Sequence, residues 1–103
     1  MSTAPKLEDI RRVLARHYGA QDCCVFLFGS RALGTARHNS DWDIGVLGRR
    51  PAPGHVMEMA REGLDTLRTL HSFDLVDLAK TSDAFRAVAL KGAIPLIGEL
   101  PHD

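Results

Sequence analysis

The sequence lacks the features that mark several common protein classes. No apolar stretch approaches the roughly 18 residues of a membrane-spanning helix, and the N-terminus has no apolar run of the secretory type, so we expect no membrane association. The cysteines, Cys23 and Cys24, are adjacent. Strand neighbours point to opposite faces and make poor disulfide partners, so we expect free thiols and a cytoplasmic protein. No CxxC or HxxxH spacing indicates a metal site, and the five histidines share no spacing, so none is assigned to a site.

A surplus of positive charge is also missing. Lys plus Arg and Asp plus Glu number 13 each, which gives a formal net charge of zero. Nucleic-acid binders usually carry a basic surplus, so we expect no direct nucleic-acid binding. With 103 residues, 45% of them apolar and no linker or internal repeat, we expect one globular domain over residues 1–103.

The apolar pattern predicts alternating helices and strands. Leu7, Ile10, Leu14 and Tyr18 recur at helical spacing, whereas the apolar run 23–28 is typical of a strand buried on both faces. Pro95 would confine the last strand to an edge of the sheet. The predicted helices are 5–18, 30–33, 55–70 and 82–91, and the predicted strands are 23–28, 42–47, 73–79 and 94–97.

The residues that carry chemistry lie between the first two strands. Gly29-Ser30 ends the first strand, and Asp41 and Asp43 follow after ten residues. A Gly-Ser pair can hold phosphate oxygens through backbone N–H groups and a hydroxyl. Two carboxylates one residue apart on a strand share a face, on which they would hold a divalent cation against a polyphosphate. Trp42 points the other way, and we expect it to pack in the core.

The spacing also predicts the strand directions. A link of ten residues is too short for a parallel crossover, so strands one and two should be antiparallel. The segment before strand three is long enough for a crossover helix, so strands two and three should be parallel, which brings Asp74 to the same edge. Asp77 is the alternative to Asp74 as the third carboxylate. Residues three apart on a strand face opposite sides, so only one of the two can point at the metal ions. The predicted fold class is α/β, a small mixed sheet flanked by helices.

The pattern of Gly29-Ser30, Asp41, Asp43 and a strand with Asp74 resembles the signature of the DNA polymerase β nucleotidyltransferase superfamily. The resemblance implies the nucleotidyltransferase fold and a catalytic triad of Asp41, Asp43 and Asp74 that holds two Mg²⁺ ions. It implies that Gly29 and Ser30 bind the phosphates of ATP. Arg31 is a further candidate for contact with the triphosphate.

The resemblance extends over nearly the whole chain and is greatest to the minimal nucleotidyltransferases, or MNT proteins. It implies an antitoxin that transfers AMP from ATP to a tyrosine of a HEPN ribonuclease toxin. Two alternatives stay open. One is a nucleotidyltransferase for a small molecule such as an aminoglycoside, and the other is a non-catalytic module that neutralises a partner by contact. The surface of so small a domain would serve a homo-oligomer or a hetero-complex equally.

Overall fold

The structure, a computed structural model, describes residues 4–19, 22–37, 40–67, 69 and 71–101. Helices and strands alternate along the chain, as the apolar pattern predicts. In chain order the elements are α1 (Leu7–Tyr18), β1 (Cys23–Phe28), α2 (Ser30–Leu33), β2 (Trp42–Gly48), α3 (Gly54–Asp65), β3 (Phe73–Asp77), a 3₁₀ turn (Leu78–Lys80), α4 (Asp83–Leu90) and β4 (Ile94–Ile97). None of the helices in these described ranges is long and apolar enough to cross a bilayer.

The four strands form one mixed sheet in the order β3–β2–β1–β4. β1 and β2 are antiparallel, with Phe28 opposite Asp43 at one end and Cys23 opposite Gly48 at the other. β2 and β3 are parallel and are joined through α3. β4 pairs with β1 at an edge of the sheet, where Pro95 is tolerated although it cannot donate to a ladder. The predicted α/β fold and the predicted strand directions are therefore confirmed.

Helices α1 and α3 pack together, and their apolar side chains form the main core with one face of the sheet. The two helices approach closely at Gly63, where a Cβ would lie only 2.8 Å from Val13 Cγ1. Burying a Leu or Ile side chain in such a core contributes about 1.5–3 kcal/mol. The buried residues of this core include Ile10, Val13, Leu14, Tyr18, Val25, Leu27, Ile44, Val46, Met57, Ala60, Leu64 and Leu75.

A second, smaller apolar cluster lies under α4 and contains Phe26, Leu78 and Ala89. Gly45 on β2 leaves the room that Phe26 needs, because a Cβ there would lie 2.9 Å from both the Phe26 ring and Leu78. Ser82 caps the N-terminus of α4, since its hydroxyl accepts a hydrogen bond from the N–H of Phe85 at 3.1 Å. The sheet is thus covered on both faces.

Two predicted elements extend two or more residues beyond their observed C-terminal ends. α3 ends at Asp65 rather than at residue 70, and the Thr66 hydroxyl donates to the Gly63 carbonyl at 2.6 Å as the helix stops. Residues 68 and 70 of the predicted helix lie outside the described residues. β3 ends at Asp77 rather than at residue 79, because the Asp77 carboxylate accepts the N–H of Ala79 at 3.1 Å and caps a 3₁₀ turn.

The adjacent cysteines carry free thiols, as the sequence predicts. Cys24 is buried, and Cys23 is half-buried at the start of β1. Burial raises the pKa of both thiols above the ordinary value, which keeps them protonated and unreactive. Both cysteines therefore act as small apolar residues of the strand.

Candidate active site

Gly29 follows β1 directly and packs against Asp43 on the neighbouring strand. Its φ of 74° and ψ of −155° lie in a region that essentially only glycine occupies. A Cβ on Gly29 would collide with Asp43 Oδ2. The lack of a side chain at Gly29 therefore allows the backbone of the Gly-Ser segment to approach the carboxylate.

Three carboxylates are gathered at the end of the sheet where β1 stops and β2 and β3 begin, which we call the carboxylate edge. Asp43 and Asp74 are register partners on the parallel strands β2 and β3, and Asp41 lies one residue before β2. Burial raises the pKa of Asp43 above its ordinary value, and the negative charges of Asp74 and Asp41 raise it further. Asp43 is half-buried, whereas Asp41 and Asp74 are exposed. The edge thus concentrates negative charge where a cation from solution can reach it.

Asp77, the competing candidate from the sequence, lies at the other end of β3. It is three positions along the strand from Asp74. Its carboxylate accepts hydrogen bonds from the backbone N–H groups of Ala52 at 2.9 Å and Ala79 at 3.1 Å. The structure therefore brings Asp74 beside Asp43 and uses Asp77 as a cap, while the catalytic role of Asp74 stays a prediction.

Ser30 and Arg31 are the first two residues of α2, and Ser30 is half-buried there. Arg31 Nη2 donates to the Ser40 carbonyl at 2.8 Å and lies 3.1 Å from His71 Nδ1. The Arg31 guanidinium also lies 4.7 Å from the centre of the Trp42 ring. Arg31 thus contacts the segment that joins β1 to β2, the first residue of β2 and the segment that precedes β3. Its contact with a triphosphate stays a prediction.

Trp42 packs in the core, as predicted, and its side chain is 8% exposed. Its Nε1 donates to His71 Nδ1 at 3.1 Å, and the two rings meet edge to face with centroids 6.2 Å apart. Sequence reasoning assigned no histidine to a site and so missed His71. The contacts of His71 span 29 and 40 residues, and no local spacing in the sequence signals them.

A separate cavity of about 440 Å³ lies at the other end of the β1–β2 pair, beside Cys23 and Gly48. Tyr18, Asp22, Arg49 and Pro51 are among the residues that line it, and none of the predicted site residues does. The carboxylate edge is therefore distinct from this cavity.

A comparison with protein families matches residues 8–99 to the family described as polymerase beta, nucleotidyltransferase. The match includes the Gly-Ser segment, both aspartates around Trp42 and the strand with Asp74. The chain belongs to the polymerase beta nucleotidyltransferase family. No curated protein matches the sequence of this nucleotidyltransferase domain significantly.

Solved structures similar to this nucleotidyltransferase include toxin–antitoxin complexes. A toxin–antitoxin complex with AMP-PNP is 25% identical with a TM-score of 0.67, and the match covers 92% of this chain and 75% of that one. The MntA–HepT toxin–antitoxin complex is 22% identical with a TM-score of 0.58, over 91% and 74% of the two chains. The complex of a tri-AMPylated HEPN toxin with its MNT antitoxin from Shewanella oneidensis is 20% identical with a TM-score of 0.63, again over 91% and 74%. At 22% and 20% identity, the MntA–HepT and Shewanella oneidensis structures show that the fold is shared with this chain.

The carboxylate chemistry of this nucleotidyltransferase fits a magnesium ion that binds together with a nucleotide. Within the part of the chain that the structure describes, no three His, Cys, Asp or Glu side chains are grouped closely enough to hold a metal ion by themselves. Mg²⁺ does not need such a cage, because it is held by one or two carboxylates and completes its shell with waters and phosphate oxygens. The like charges that raise the pKa of Asp43 provide an unbalanced negative field for such an ion.

Proposed function

We propose that this nucleotidyltransferase transfers AMP from ATP to a tyrosine hydroxyl of a cognate HEPN ribonuclease toxin and so acts as its antitoxin. One observation supports the chemistry: Gly29, Asp43 and Asp74 meet at one edge of the sheet, through a register pair and a glycine that packs against a carboxylate. The similar structures support the acceptor, since one is a toxin–antitoxin complex with AMP-PNP and another contains a tri-AMPylated toxin.

Asp41 and Asp43 are the proposed ligands of two Mg²⁺ ions, with Asp74 completing the set. When bound, magnesium would neutralise the charge that develops on the phosphates during transfer. Gly29 and Ser30 would hold the β- and γ-phosphates, because Gly29 has no side chain to keep the phosphates away from the backbone. Arg31 would contribute to the binding of the triphosphate from its place beside Ser30.

The acceptor hydroxyl would form a bond to the α-phosphorus of ATP while the bond to the pyrophosphate breaks. Asp74 would take the proton of that hydroxyl. An exposed carboxylate suits this role, because the acceptor arrives on a second protein and must reach it. Asp41 is also exposed, so the edge is open enough for a macromolecular acceptor.

The deciding experiment is intact-mass spectrometry of the co-purified HEPN partner after incubation of the complex with ATP and Mg²⁺. We expect the partner to gain the mass of one or more AMP units. We expect Asp41→Asn and Asp43→Asn to abolish this gain while the complex remains folded. Asp65→Asn, an exposed aspartate at the end of α3, is the matched control and should transfer AMP at the original rate.

A folded complex whose partner gains no AMP would contradict the proposal. Transfer to a small hydroxyl compound without transfer to the partner would favour the aminoglycoside-type alternative. Suppression of the toxin without any transfer would favour neutralisation by contact.

A further inference from the structure

The imidazole of His71 is approached by two hydrogen-bond donors at a single atom. Arg31 Nη2 and Trp42 Nε1 each lie 3.1 Å from His71 Nδ1. Guanidinium and indole N–H groups donate hydrogen bonds and cannot accept them. In this arrangement Nδ1 is the acceptor, and its lone pair faces both donors.

The three residues of this cluster belong to the three segments that carry the predicted active site. Arg31 follows Ser30, Trp42 lies between Asp41 and Asp43 at the start of β2, and His71 precedes Asp74 by three positions. A change in the cluster would therefore shift all three segments relative to one another. None of the three residues is itself one of the carboxylates.

Further contacts hold the same three segments together. The guanidinium of Arg31 lies over the Trp42 ring at 4.7 Å, which is within the range of a cation–π interaction. The backbone N–H of Trp42 donates to the Ser72 carbonyl at 2.9 Å, and Arg31 donates to the Ser40 carbonyl at 2.8 Å. His71 is the point at which the side chains of Arg31 and Trp42 meet a common acceptor.

We propose that His71 is a positioning residue, whose Nδ1 lone pair holds Arg31 and Trp42 in place. Through them it sets the position of the Gly-Ser segment relative to Asp41 and Asp43. Without the acceptor, the buried Trp42 Nε1 loses its partner and Arg31 loses one of the contacts that keep it over the indole ring. The expected effect on AMP transfer rests on the proposed function, whereas the arrangement of the cluster does not.

Trp42 is the only tryptophan in the chain, so its fluorescence reports directly on the cluster. His71→Leu removes the acceptor and replaces the imidazole with an apolar side chain of similar reach. His71→Asn keeps an acceptor at the δ position. We expect His71→Leu to shift the emission maximum and to raise acrylamide quenching at least twofold. We expect His71→Asn to restore values close to the original. His55→Leu, an exposed histidine on α3, is the matched control and should change neither.

The activity measurement tests whether the cluster positions the active site. Small misplacements of reacting groups lower the rate of the chemical step steeply. We therefore expect His71→Leu to lower kcat for AMP transfer by about tenfold or more and to raise KM for ATP, because Arg31 and the Gly-Ser segment are the proposed triphosphate ligands, and we expect His71→Asn to recover most of both. If the wild-type protein transfers no AMP at all, the proposed function fails, and the fluorescence result still decides the arrangement of the cluster.

Unchanged quenching in His71→Leu would overturn the inference, and so would a failure of His71→Asn to restore it. Arg31→Gln provides a second measurement if His71→Leu does not fold, because Arg31 lies on the short helix α2 outside the apolar core. We expect Arg31→Gln to raise the quenching of Trp42 as well. No change in quenching there would count against the cluster in the same way.

Discussion

Asp43 and Asp74 face each other as register partners on two parallel strands, so two negative charges are adjacent at the edge of the sheet. Like charges at partner positions destabilise a sheet, and burial adds to the cost because it raises the pKa of Asp43. An arrangement that costs folding energy is typical of a functional site.

Asp43→Asn should stabilise the fold while it abolishes AMP transfer. The amide removes the repulsion from Asp74 and Asp41, for which we expect a gain of about 0.5–1 kcal/mol in the free energy of unfolding at neutral pH without metal. Urea denaturation measures this gain. Mg²⁺ with a non-hydrolysable ATP analogue should raise the Tm of the wild-type protein and have little effect on Asp43→Asn. A variant that is less stable than the wild type in metal-free buffer would contradict the charge argument.

Gly29→Ala should be far more damaging than Gly34→Ala. Both glycines have a positive φ, of 74° and 75°, but a Cβ on Gly29 collides with the Asp43 carboxylate, whereas a Cβ on Gly34 meets nothing within 4 Å. We expect Gly29→Ala to lose about 1–3 kcal/mol of stability together with nucleotide binding. Gly34→Ala should lose about 1 kcal/mol and keep binding. Calorimetric titration with an ATP analogue checks this, and equal binding by both variants would show that the close approach at Gly29 is unimportant.

Asp74→Asn and Asp77→Ala should have opposite profiles. Asp74 is an exposed carboxylate beside Asp43, so its replacement should abolish transfer and should leave the fold at least as stable as the wild type, because it removes the same repulsion. Asp77 accepts two backbone N–H groups, so its loss should cost about 1–3 kcal/mol and leave transfer measurable in the folded fraction. Urea denaturation and the AMP-transfer assay on both variants test this. Full transfer by Asp74→Asn would assign the role of base to a group other than Asp74.

Tyr18 should make the protein sensitive to alkali. Burial, with smaller contributions from charges that include Cys23 and Asp77, raises the pKa of Tyr18 from 10.0 to about 12. The unfolded chain ionises first, so this contribution to stability is complete below pH 10 and is lost as the pH rises towards 12, by roughly 1–3 kcal/mol. Tyr18 is the only tyrosine, so the ultraviolet absorbance of tyrosinate measures its titration directly.

Tyr18→Phe is the control for that titration. Tyr18 Oη is buried and has no hydrogen-bond partner among the described residues, so removal of the hydroxyl should change stability at neutral pH by less than about 1 kcal/mol. The variant should also lose less stability between pH 10 and 12 than the wild type. An identical loss in both proteins would place the alkaline sensitivity in other groups.

The order of the elements and the directions of the strands were predictable from the sequence, because each depends on local signals. Apolar periodicity indicates helices and strands, and the length of a link decides between a hairpin return and a crossover. The ends of α3 and β3 were not predictable from the sequence. The side chains of Thr66 and Asp77 bind the backbone and end these elements, although the apolar pattern continues beyond them.

The sequence by itself determined the order of the elements, through its apolar pattern and the lengths of its links. It also determined the candidate residues Gly29-Ser30, Asp41 and Asp43, because they lie close together in the chain at a recognisable spacing. Tertiary structure decided between Asp74 and Asp77 for the place beside Asp43, because only the β2–β3 register specifies which residue lies opposite which. Tertiary structure alone also brought His71 to Arg31 and Trp42. Those contacts join segments 29 and 40 residues apart, a distance at which no local pattern in the chain reports a neighbour.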